Sequence, residues 1–213
     1  MSGLPAAVAS AIVALLVSTP FQAPGQIAAR AEDDFGAGRV REALDDYDRL
    51  IALVPSVASE LWQRGIVLYY LERYDACAAQ FAAFHERNPA DMENTAWHFF
   101  CQARAHSPAQ ARAALLVTQS DLRIARDQVY DLLRGTVTAA EFAKTADAGM
   151  PVARFYSHMY LALYLDAIGD SAASLREMRI AASDEYRPYG GFMNIVAHVH
   201  VRLRSSTTGS PVP

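Results

Sequence analysis

A thirty-four-residue period dominates the middle of the chain. Moved back by that interval, the window 59–104 falls on its own upstream neighbour. Pro89 lands on Pro55, Phe81 on Tyr47, Cys77 on Ala43, Tyr74 on Val40 and Gly65 on Ala31. Small, aromatic and Pro positions in a fixed order over such a period constrain the chain to stacked helix-turn-helix units. Two helices that cross closely need small residues at the crossing, which Gly65 and Cys77 supply in one unit and Ala31 and Ala43 in the unit before. Tyr74 and Phe81 are large enough to fill the gap to the next unit. Pro89, after Asn88, ends the second helix, because Pro cannot continue it and disfavours helix in the residue before it.

These positions resemble the tetratricopeptide repeat (TPR) family. The likeness covers roughly residues 26–116 and returns in weaker form over 155–182, with Ala162, Gly169 and Ala181 near the small positions. It implies an all-α fold, a right-handed superhelix of antiparallel helix pairs with a C-terminal capping helix, since one unit cannot bury its apolar face alone.

Composition agrees with helix throughout: 213 residues, 52% apolar, can bury a sizeable core. The net charge is −4, from 19 basic and 23 acidic residues, with no basic stripe of the kind that nucleic acid requires. Arg30 is the first charged side chain. Before it, residues 6–17 form an apolar run of signal-peptide rather than membrane-spanning length, followed by Pro20 and Pro24. Residues 1–23 are therefore expected to be a weak signal peptide or a disordered leader. Residues 24–204 are expected to form the helical domain and 205–213 a disordered tail. An exported protein, periplasmic or secreted, without a transmembrane segment in its mature part is the expectation, and a cytoplasmic one the alternative.

Along the chain, residues 26–36 and 40–53 read as the first helix pair, and 59–72 and 74–87 as the second. Asp91 caps a helix over 92–105. Ser107, Pro108 and Gln110 form a helix start running to about Val117. Leu122, Ala125, Val129, Leu132 and Leu133 keep helical spacing up to Gly135. Thr138 with Glu141 opens 139–146, and a pair over 155–168 and 171–182 precedes a terminal helix over 192–203.

Peptide binding on the face lined by the first helix of each unit is what the TPR resemblance implies. On that frame Glu93 and Trp97, four apart, share a stripe, with Tyr156 and Tyr160 at the matching places in the last unit. With Gln63 and Arg64 these are the candidate groove residues, while Cys101 and Tyr164 rotate toward the core. Core packing of the aromatic stripe is the competing reading. A subset of the family clamps a terminal carboxylate with cations; the matching places here hold Ala28, Glu32, Gln63, Glu93 and Trp97, so the clamp is missing. A neutral to basic peptide or protein partner fits instead.

The six histidines offer no metal motif. His198 and His200 diverge on a helix. Cys101 with His98 lacks an orienting third group, and no phosphate loop or nucleophile elbow is present. A disulfide between Cys77 and Cys101 is open to an exported protein, because the two lie on neighbouring helices. The expected function is a non-catalytic interaction module needing no cofactor, metal or nucleic acid. The alternatives are a small-molecule binder or enzyme with a pocket near Glu93, Trp97, Cys101 and Tyr156, and a structural subunit. Enclosure of that pocket by residues 122–146 would favour the first alternative.

Overall fold

The computed structural model describes residues 23–118 and 126–207, and every regular element among them is helical. The expected leader (1–22), the positions Leu122 and Ala125, and residues 208–213 lie outside the described residues. The helices are α1 (Pro24–Gly36), α2 (Val40–Leu53), α3 (Trp62–Tyr70), α4 (Tyr74–Arg87), α5 (Met92–Ala105), α6 (Pro108–Ala113), α7 (Arg126–Arg134), α8 (Ala139–Ala146), α9 (Pro151–Ala167), α10 (Ser171–Ala181) and α11 (Phe192–Thr207).

Local chemistry accounts for most boundaries. Pro24, expected to lie ahead of any helix, instead sits in the first turn of α1, where its missing N–H is no loss. Pro151 likewise starts α9 four residues earlier than the apolar pattern suggests. Asp91 accepts the backbone N–H groups of Glu93 and Asn94 at 2.9 and 3.3 Å and so caps α5. Thr138 and Glu141 form the expected capping box of α8. Between α9 and α10, Gly169 (φ 94°) makes the turn. Three expectations need correction. Residues 55–60 form a 3-10 turn, and α3 starts only at Trp62. Helix α6 stops at Ala113, short of Val117. Ser205, Ser206 and Thr207, assigned to the tail, continue α11.

Sequential helices pack on one another: α1 on α2, α3 on α4, α4 on α5, and α9 on α10. Of the positions picked out by the period, Gly65, Cys77 and Phe81 are buried, Tyr74 is half-buried, and the two prolines, Pro55 and Pro89, are exposed. A Cβ on Gly65 would come within 2.6 Å of the Phe81 ring, so the close approach at Gly65 is to that ring. Phe81 in turn stacks on Trp97 of α5, with centroids 6.0 Å apart. Tyr74 lies edge-on to Tyr69 and accepts hydrogen bonds from Arg104 of α5 at 2.9–3.0 Å. Pro89 is exposed in the α4–α5 connection. Cys77 and Cys101 are joined in a disulfide between α4 and α5, Cα atoms 5.8 Å apart.

The last described helix returns to the first. Phe192 of α11 stacks on Phe35 of α1 at 5.6 Å, and Arg202 donates to the Gly36 carbonyl at 3.0 Å. A strictly nearest-neighbour stack of repeats makes no such contact. A buried polar network ties the same region together. Tyr69 of α3 donates to Asp166 of α9 at 2.7 Å, and Arg204 of α11 donates to the same carboxylate at 3.0 Å. Tyr70 and Ser174 each hold one nitrogen of His200 at 3.1 Å. Asp166 is the sole acid in the apolar run of α9, and it persists there because two donors satisfy it.

Candidate functional site

The start of α5 builds one wall of a half-open pocket of about 270 Å³. Capping by Asp91 fixes the first turn, and helical spacing then brings Glu93, Asn94 and Trp97 to the same wall. Phe81 and Phe84 of α4 and Trp62 of α3 line it from one side. Tyr156 of α9 lines it from another, and the approach to α11, through Gly190, Phe192 and Met193, closes it. Trp62 meets Phe192 edge-on at 5.2 Å, and Tyr156 stacks on Tyr160 at 6.1 Å. Gly190 (φ 83°) is held so near Phe155 that a Cβ would lie 2.3 Å from its ring, so that segment passes where only glycine fits.

The lining is aromatic and acidic. Asp91 is partly neutralised by the helix N-terminus that it caps. Burial pushes the Tyr160 phenol well above its ordinary value, and the negative charges of Glu93 and Asp91 push it further, so this hydroxyl stays protonated beside Glu93. Asn94 is 2% exposed, and neither its amide nitrogen nor its amide oxygen has a protein partner; the same holds for Nε1 of Trp97, which is 1% exposed. Buried polar atoms of this kind are uncommon, and two such residues line this one pocket.

Of the sequence-predicted groove residues, Glu93, Trp97 and Tyr156 come together here. Trp97 combines both readings, since it is packed in the core and still contributes to the pocket wall. Tyr160 is buried behind Tyr156 rather than on the lining. Gln63 and Arg64 are half-buried and lie off the pocket, where Arg64 donates to Asp48 at 2.7 Å and to Gln80 at 3.1 Å. Cys101 is buried in the disulfide, which leaves no thiol for His98 to activate. Of the segment 122–146, the described residues 126–146 do not appear on the lining; among the described residues, the wall that encloses the pocket comes from 190–193.

Sequence reasoning passed over Trp62, Phe84, Asn94 and Phe192. Trp62 and Phe192 are aromatics at the first position of a helix, which is the signal that was available. It also passed over Asp166, an acid isolated in an apolar helix. Ser174 and His200 have the distance of a nucleophile and base, but they are 1% and 0% exposed and lie away from the pocket, so no substrate reaches them. His158 sits between Glu177 (2.8 Å) and Asp147 (3.0 Å), pinning α9 to α10 and to the end of α8. Among the described residues no cluster of His, Cys, Asp and Glu could hold a metal ion, and no helix is long and apolar enough to cross a membrane. Compared with known proteins, the chain matches no family model and no curated protein.

Proposed function

We propose that this chain is a non-catalytic interaction module. In this reading TPR-like helix pairs form a short superhelix, exported from the cell, that offers an acidic, aromatic surface to a neutral or basic peptide or protein. The observation that carries the reading is the convergence of Glu93, Trp97 and Tyr156 on one pocket, with Asp91, Trp62 and Phe192 beside them. Aromatic side chains give large, rigid contact area at low entropic cost, and carboxylates select against acidic partners. The Cys77–Cys101 disulfide supports the exported location, because such bonds persist in oxidising compartments.

A second reading, a small-molecule binder, draws on the wall formed by residues 190–193, which makes the site a pocket rather than an open channel. A peptide array that varies charge at each position tests the first reading. Wild type should retain basic and neutral peptides and release acidic ones, and Glu93→Lys should lose the basic set at unchanged melting temperature. Retention independent of peptide charge, or of Glu93, would overturn it.

A further inference from the structure

We propose that the pocket is an aromatic cage for a quaternary ammonium group. The proposal rests on the binding reading above and names the chemistry that the pocket takes.

Two features select that chemistry. The first is the lining, in which the partly exposed rings of Trp62, Phe84, Tyr156 and Phe192 stand, among the described residues, with two carboxylates, Asp91 and Glu93. Cations without N–H groups are held by ring faces and a diffuse negative field. The second is that the carboxylate oxygens of Asp91 are already engaged. Oδ1 accepts from the backbone of Glu93 and Asn94, and Oδ2 accepts from the Asn88 amide at 3.4 Å. A primary ammonium or a guanidinium brings three to five N–H donors that each need an acceptor; a quaternary ammonium brings none.

Choline, a quaternary ammonium alcohol, is the probe, titrated against the full chain by calorimetry and by tryptophan fluorescence. Its carbon isostere, in which the nitrogen is replaced by carbon, keeps the shape and removes the charge. Ethanolamine keeps the charge and restores the N–H donors. Choline should bind saturably and about tenfold or more tightly than either comparator. Glu93→Gln and Trp62→Leu should each weaken choline about tenfold and leave the isostere unaffected, with circular dichroism reporting the fold. Equal affinity for choline and isostere, or no choline binding, overturns the proposal; so does choline binding that survives both substitutions.

A trimethyl-lysine peptide beside its unmodified form separates the two sources of the same group. Tighter binding of the methylated peptide than of free choline assigns the group to a protein partner, and the reverse assigns it to a small molecule. Choline binding with no peptide binding would remove the peptide-partner reading and leave the cage intact.

Discussion

Gly65 shows how much one residue of the period controls. Its missing side chain lets α3 lie against the ring of Phe81, and that ring in turn stacks on Trp97, so one absent methyl sets the distance between three helices. Gly65→Ala should therefore destabilise the fold, by about 1–3 kcal/mol, because the Phe81 ring must move into a packed neighbour; a thermal melt at wild-type temperature would mean that the ring has room to yield. Trp97→Ala should destabilise more, by about 3–5 kcal/mol, since the side chain is 1% exposed and in ring contact with Tyr69, Phe81 and Phe100. Glu93 and Trp97 share a pocket wall because helical spacing puts residues four apart on one face, whereas Tyr156, on another helix, was grouped with them only through the TPR resemblance. Trp62, Asn94 and Phe192 were not legible in the sequence, because they reach the pocket through contacts between elements far apart in the chain, about which periodicity within one helix carries no information.

At the scale of elements, caps and turns were the most legible part. Asp91, Ser107 and Thr138 each cap the helix that the sequence assigns to them, since capping is a contact within one turn. The connection from α2 to α3 was less so: Pro55 begins a 3-10 turn that delays α3 to Trp62. The hairpin of α4 and α5 carries a further constraint in the Cys77–Cys101 disulfide, which closes a loop of sequence separation 24. Cross-linking across that interval restricts the unfolded chain and contributes about 3 kcal/mol. Reduction, or the double substitution Cys77→Ala with Cys101→Ala, should lower the melting temperature correspondingly. The pocket wall on α5 should loosen with it, seen as faster amide exchange at Glu93 and Asn94. An unchanged melt after complete reduction would show that the hairpin holds by packing alone.

For the molecule as a whole, the contact of α11 with α1 and α3 matters most, because it converts a row of helix pairs into a body whose ends meet. The network that makes this contact is polar, and its weak point is His200, 0% exposed between Tyr70 and Ser174. Burial pulls its pKa from 6.5 down to about 4; Asp166 opposes that shift and Arg204 adds to it. In the unfolded chain the same imidazole takes its proton near pH 6.5. Between these two values the unfolded state binds more protons than the folded state, so acid favours unfolding. The stabilisation is present in full above about pH 6.5, declines through that window, and is lost once pH falls below about 4. His98 on α5, also lowered to about 4 by burial and by His85, behaves the same way. Each should contribute on the order of 3 kcal/mol across the window. Urea midpoints followed from pH 7 to pH 4 should fall steeply in wild type and by roughly half as much in His200→Asn, whose amide keeps hydrogen-bonding capacity without titrating. Because His200 joins α11 to α3 and α10, fluorescence of Trp62 beside Phe192 should report the opening of that contact along the same curve. A pH profile identical in wild type and His200→Asn would mean that α11 is held to α1 and α3 by the aromatic stack and the Asp166–Arg204 pair, with His200 a bystander.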